Sequence, residues 1–302
     1  MQRNWEIRFT ETIDDLLMVE ELQRIVWPGS DMDVVPAHLL ITAVHNGGLV
    51  LGAYVIEKSA DINQRMVGFV FGFPGFYQTP DGPRPKHCSH MLAVHPDFRG
   101  QGIGFALKRA QWQMVRHQGI DRISWTYDPL LSRNAYLNVA RLGAVCNTYL
   151  RKFYGEMRDG LNVGLPSDRF EVDWWVNTQR VKRRLSKTIR TKLDYEHFAA
   201  AQAVVVNPVK FNRFGWPKPS GSDPGIYTNS EGENPKLLLV EIPADFLALK
   251  EGDLELAKEW RQTSRVIFEG LFNAGYLVTD FVRMQGETPR SYYVLTYGEG
   301  TL

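Results

Sequence analysis

The stretch HMLAVHPDFRGQGIG, from His90 to Gly104, constrains this chain more than any other. It predicts an apolar strand ending at Val94, a short turn opened by Pro96, and a glycine-punctuated helix over about Ile103–His117. Arg99, Gly102 and Gly104 fall in an Arg-x-x-Gly-x-Gly pattern. A strand feeding such a turn at a helix N-terminus makes an anion site. Backbone N–H groups and the positive end of the helix dipole converge there, and the missing side chains let a phosphate approach closely. The expectation is a site for a phosphorylated cofactor; the alternative is a turn whose glycines serve only tight packing.

Spacing narrows the cofactor. A dinucleotide fold wants Gly-x-Gly-x-x-Gly with an acidic residue about 20 positions later, whereas Gly100, Gly102 and Gly104 run as Gly-x-Gly-x-Gly. A Walker A loop ends in Gly-Lys-Ser/Thr, but Phe105 follows Gly104. The pattern, with Leu92-Ala93-Val94 and Pro96 ahead of it, resembles motif A of the GNAT (GCN5-related N-acetyltransferase) superfamily. That resemblance implies an acyl-CoA site. Leu92, Ala93 and Val94 would pair with the pantetheine, and Arg99, Gly100, Gln101, Gly102, Ile103 and Gly104 would hold the phosphates. The string from Leu131 to Ala144 is similar to the family's motif B helix, with Asn134 in place as a further cofactor contact.

Composition agrees with a soluble globular protein and excludes several other classes. At 302 residues, with 44% hydrophobic and 23% charged content, the chain is long enough for one large domain or two ordinary ones. Its 35 basic and 34 acidic residues nearly cancel, so no global field favours nucleic acid or an acidic membrane. No apolar stretch approaches the length of a membrane span, and the N-terminus has no signal-peptide pattern. Cys88 and Cys146 are too few for a disulfide scaffold or a zinc site. A cytoplasmic protein without a metal is expected.

Residue patterns predict a strand at Trp5–Phe9, a helix to about Trp27 opened by Thr12, and a shorter helix after Pro36. A hairpin of Leu49–Ile56 and Met66–Phe73 follows, then the strand ending at Val94. Beyond the glycine turn and its helix come a strand at Ile123–Tyr127, a helix at Ser132–Leu142 and the remaining strands in Val145–Tyr154. The expected fold class is α/β, with a GNAT fold built on a central mixed, splayed sheet flanked by helices. Residues 1–160 are expected to form the acyl-CoA-binding domain. Residues 161–302 are expected to form a C-terminal α/β domain resembling part of a GNAT unit, which extends the sheet or frames the acceptor site. In that region a basic amphipathic helix is expected at Arg180–Lys192 on Val181, Leu185 and Ile189. A helix from about Leu254 to Asn273 is expected between strands.

His90 is the candidate general base, because an imidazole suits proton uptake at neutral pH. In the arylalkylamine N-acetyltransferases of the same superfamily a histidine at this motif-relative position helps accept the amine proton, and HMLAVH is similar to their string. Simple strand alternation places His90 on one face with Leu92 and Val94 and puts His87 on the other. The alternative is a half-buried structural histidine. His95 is expected at the surface. Many family members carry a tyrosine four positions before the motif B glycine, as the acid for the departing thiolate; here Val139 stands there, Tyr136 one turn earlier reads as a packing residue, and thiolate departure is left to Asn138, to water or to no acid at all. Asp128 reads as a turn opener or as an acceptor-binding carboxylate.

The function implied is acyl transfer from acetyl-CoA, or another acyl-CoA such as succinyl-CoA, to a small primary amine or amino acid. The alternatives are a CoA-binding sensor without turnover and a protein or peptide N-acetyltransferase. No nucleic-acid or membrane partner is expected, and a homodimer is left open.

Overall fold

The computed structural model describes residues 4–29, 31–56, 65–156, 163–186, 193–221 and 234–297. They divide into two compact units, one formed by residues up to 125 with 175–177, the other by the remainder.

In the first unit, β1 (Trp5–Phe9) leads to α1 (Ile13–Val26). Thr12 caps α1, its Oγ1 accepting from the Asp15 amide at 3.2 Å and donating to the Asp15 carboxylate at 2.8 Å. The shorter α2 spans Ala37–His45. Next come β2 (Leu49–Val55), β3 (Met66–Thr79) and β4 (Gly82–Val94), then α3 (Ile103–His117) and β5 (Arg122–Tyr127). Strands β1 to β4 pair antiparallel in chain order, and β4 pairs parallel with β5. Leu16, Val19 and Leu22 of α1 and Leu40 of α2 bury against Val50, Phe69, Phe71 and Ala93 on one face of the sheet. On the other face Ile103 and Leu107 of α3 come close to Gly68, where a Cβ would meet them at 3.0 and 3.3 Å.

The β3–β4 hairpin is longer than the sequence pattern predicts. Pro74-Gly75 reads as a strand end, yet β3 runs on to Thr79, and pairing continues through Gly75↔Lys86 to Thr79↔Gly82. The added stretch alternates half-buried and exposed residues, with Phe76 71% exposed. That two-sided exposure removes the apolar signal by which a strand is recognised.

In the second unit, α4 (Ser132–Ala135) passes directly into a π-helical stretch over Tyr136–Arg141 where an uninterrupted α-helix is predicted. β6 (Val145–Leu150) is followed by a turn at 151–154, so the predicted run to Tyr154 holds one strand; its antiparallel partner is β7 (Arg169–Trp175). α5 (Gln179–Leu185) carries Val181 and Leu185 buried as predicted, whereas Ile189 lies outside the described residues. After α6 (Tyr195–Ala200) come the two-residue strands β8 (Val204–Val205), β9 (Lys210–Phe211) and β10 (Pro217–Lys218). The C-terminal part is β11 (Leu237–Ile242), α7 (Phe246–Gly252), α8 (Leu254–Asn273), β12 (Tyr276–Met284) and β13 (Arg290–Tyr297). β6, β12, β13 and β11 pair antiparallel in that order, and β8 joins β11 in parallel. Phe170, Phe268, Phe281 and Tyr293 form an aromatic core beneath α8, with ring centroids 4.8–5.4 Å apart.

Two arginines of α5 hydrogen-bond to the chain. Arg180 donates to the carbonyls of Gly143 (3.0 Å) and Thr279, and Arg184 to the Ala140 carbonyl and, at 2.6 Å, the Asp280 carboxylate. They serve the carbonyl end of the π-helical stretch, where backbone acceptors lack intrahelical donors.

Candidate acyl-CoA site

The parallel pairing of β4 with β5 runs through His87↔Ile123 and Cys88↔Ser124 and stops there. β4 continues to Val94 and β5 to Tyr127, so beyond this vertex the two strands form a fork. A fork of this kind offers strand-edge N–H and C=O groups to an extended ligand.

At the open end of β4 the chain turns through Pro96–Phe98 into α3. Gly100 and Gly102 have φ of +83° and +81°, the left-handed region, and nothing lies within 4 Å of a Cβ built on either. Backbone conformation therefore selects these glycines, and the space beside them stays open. Gly102 is the N-cap of α3 and no side chain caps this end. The first intrahelical bond runs from Ala106 N–H to Gly102 O at 3.0 Å, so the Ile103 and Gly104 amides precede it. Open space, uncapped amides and the helix dipole fit a pyrophosphate. Exposed Gln101 flanks the turn, and Arg99 Nε donates to the Val94 carbonyl at 3.4 Å. Leu92 and Val94 lie beside Gly104, while Ala93 is buried in the opposite core.

One correction concerns His90. Phe71 pairs with Met91 and Gly72 with Ser89, so His90 is the extra residue of a β-bulge. The bulge reverses the strand's phase. His87 and Ser89 contact α3 before it, and Leu92 and Val94 face α3 after it. His90 instead packs against the rings of Phe71 and Phe73, at 6.0 and 5.9 Å, on the α1–α2 face. It does not share a face with Leu92 and Val94. The ring keeps exposed surface, but partial burial holds its pKa below the ordinary 6.5, so the free base is present at neutral pH.

The neighbouring histidines also differ from expectation. His87 is fully buried in mid-strand rather than at a fraying start, and burial, reinforced by the Lys108 charge, drives its pKa down to about 3. His95, expected at the surface, is 8% exposed. Its Nε2 lies 2.9 Å from an Arg65 guanidinium nitrogen, beside a cleft of about 410 Å³ also lined by Arg8, Asp15 and Tyr54.

Asn134 and Asn138 belong to the second unit. Asn134 is half-buried on α4, and Asn138 is 5% exposed within the π-helical stretch, its carbonyl accepting from the Ala144 amide at 3.0 Å. Val139 is fully buried, and the Arg283 guanidinium lies 4.7 Å from the Tyr136 ring centroid. Asp128 does open a turn, accepting from the Leu130 amide at 2.9 Å, but it also grips Arg261 with both oxygens. Burial pushes the Asp128 carboxyl up, yet the Arg261 charge and hydrogen bonds, with Arg169 and the Leu130 amide, hold it below 3.8. Sequence patterns missed this pair, and they missed a buried set of Lys108, Gln111 and Ser89. The signal for the second was present: Lys108 and Gln111 stand at helical spacing on the buried stripe of Ile103, Leu107 and Val115.

Residues 17–143 match the acetyltransferase (GNAT) family model. This segment is a GNAT acetyltransferase domain. The family so matched is one of acetyltransferases. No curated protein matches the chain. Among solved structures, NAA60 of Arabidopsis thaliana in complex with acetyl-CoA is 15% identical, covering 57% of this chain and 99% of its own, with a TM-score of 0.46. The ribosomal-protein-S18-alanine N-acetyltransferase of Escherichia coli is 16% identical over 62% of this chain and 99% of its own, with a TM-score of 0.39. An IAA acetyltransferase of Bacillus cereus is 13% identical over 56% and 97%, with a TM-score of 0.38. No helix among the described residues is long and apolar enough to cross a membrane.

Proposed function

We propose that the chain is an N-acyltransferase that moves an acyl group from acetyl-CoA or succinyl-CoA to a small primary amine or amino acid. The observation that carries this reading is the β4–β5 fork leading to the uncapped N-terminus of α3. Pyrophosphate sits on the Ile103 and Gly104 amides within the Arg99–Gly104 turn. Pantetheine runs along Leu92, Ala93 and Val94 towards the vertex. The amine attacks the thioester carbonyl directly, and His90, or a water it orders, takes the amine proton. Asn134 and Asn138, expected from motif B, belong to the second unit and are given no place in these steps.

Thermal unfolding with CoA, acetyl-CoA and succinyl-CoA tests the reading. At about a hundredfold excess over Kd, binding to the native state adds about 2.7 kcal/mol. The thioester with the largest shift is then the donor for a screen of amines. No shift with any of the three at millimolar concentration would reject the acyl-CoA site. With an acceptor in hand, His90→Ala is expected to lower kcat about 10²-fold and to remove the acidic limb of its pH profile. Unchanged turnover at neutral pH would remove His90 from the mechanism.

A further inference from the structure

A group of polar side chains buried on the α3 face of β4 has no part in the steps above. Lys108 is 1% exposed. Its Nζ donates to Ser89 Oγ at 2.9 Å and to Gln111 Oε1 at 3.0 Å, and it lies 3.6 Å from the centroid of the Trp125 ring. Two oxygens and an aromatic face are the complement of an ammonium with three N–H bonds. Ser89 Oγ also donates to Gln111 Oε1 at 3.0 Å, and Gln111 Nε2 donates to His87 Nε2 at 3.1 Å, which makes His87 a neutral acceptor. Burial drives the Lys108 pKa well below its ordinary value and the nearby Cys88 opposes that shift, while the Lys108 charge in turn lowers the pKa of His87.

The position of this cluster is what matters. Ser89 is the first residue of β4 beyond the last pair with β5, and Trp125 is the first of β5 beyond it. The Lys108 amine therefore bridges both strands at the vertex of the fork. α3 runs back along β4: Gly104 lies beside Leu92 and Val94, Lys108 beside Ser89, and Gln111 beside His87. From Val94 back to Ser89 is ~17 Å of strand, a span that an extended pantetheine arm covers. An arm anchored at the first turn of α3 thus brings its sulfur to the vertex.

Resting on the acyl-CoA reading above, we propose that Lys108 supplies the positive charge that stabilises the departing CoA thiolate. As the amine attacks, the C–N bond forms and the C–S bond breaks, with its electron pair passing to sulfur; the amine proton goes to the base. The step moves no proton to or from Lys108, whose ammonium is held against the cost of burial by Ser89, Gln111 and the Trp125 ring. Its field acts where Ser89, at 4% exposure, and Trp125, at 9%, shut out water, so the charge is weakly screened.

The test is the thiol titration of bound CoA, followed by thiolate absorbance in the ultraviolet. The same protein saturated with desulfo-CoA provides the blank for Cys88 and Cys146. The wild-type protein is expected to hold the bound thiol about one pH unit below free CoA. Lys108→Met is expected to return it to the free value while still binding CoA. If Lys108→Met does not fold, Lys108→Gln, neutral but hydrogen-bonding, makes the same comparison. A bound thiol that titrates alike in wild type and variant overturns the proposal, as does an unshifted thiol in wild type. Failure of the wild-type protein to bind CoA at all overturns the acyl-CoA reading, and this inference with it.

Discussion

Asp128→Ala is expected to destabilise the protein by about 3–5 kcal/mol, the cost of leaving one partner of a buried ion pair uncompensated. The Arg261 side chain is 2% exposed and that of Asp128 is 11%. The guanidinium holds the carboxylate with two parallel hydrogen bonds, one of them 2.8 Å long. The pair joins the start of the α4 segment to α8, two elements of the second unit far apart in sequence. Urea unfolding at neutral pH checks the magnitude. In the double variant Asp128→Ala/Arg261→Met much of the loss should be recovered, because no unpaired charge stays buried. Acid dependence gives an independent readout. Arg261 keeps the folded-state pKa of Asp128 below its ordinary 3.8, so the stabilisation is complete above the unfolded pKa. It is lost as pH falls through the folded one. Wild type should therefore lose stability below ~pH 4 by a margin that Asp128→Ala does not show. Equal acid sensitivity in the two proteins would mean the pair contributes little.

Gly102→Val is expected to weaken CoA binding by about 100-fold while costing only about 1–2 kcal/mol of stability. The stability cost arises because φ of +81° is unfavourable for a β-branched residue. The affinity cost is larger because the new side chain occupies the open space beside the uncapped helix end, where nothing in the protein lies within 4 Å of a Cβ. Calorimetric titration with CoA, set beside urea unfolding of the same variant, separates the two terms. Undiminished affinity would show that the glycine turn has only a structural role.

Much of the fold was legible because its signals are local. Thr12 before an apolar periodic run, Asn46-Gly47-Gly48 between helix and strand, and Gly275 after α8 are punctuation that depends on backbone chemistry at one place. The same holds for the turn at Gly100–Gly104, since left-handed backbone and an uncapped helix end follow from glycine itself. The β-bulge at His90 was not legible. Whether a strand takes an extra residue depends on the partner across the ladder. Here a Cβ on Gly72 would stand 2.2 Å from His87 Nε2 and 2.6 Å from the Cys88 carbonyl, a contact between residues of different strands. The consequence was specific: strand alternation alone put His90 on the wrong face relative to Leu92 and Val94.

The sequence by itself determined the mixed α/β class and the strand–glycine turn–helix unit with its anion site, because each is carried by residues within a few positions of one another; the acyl-CoA chemistry is what the resemblance to the GNAT family implies. Only the tertiary structure decided that Asp128 is held by Arg261, and that a lysine on the buried stripe of α3 meets Ser89 and Trp125 where two strands part. Both arrangements join residues remote in sequence. The cost of burying a charge is met only by partners that packing brings within hydrogen-bonding distance.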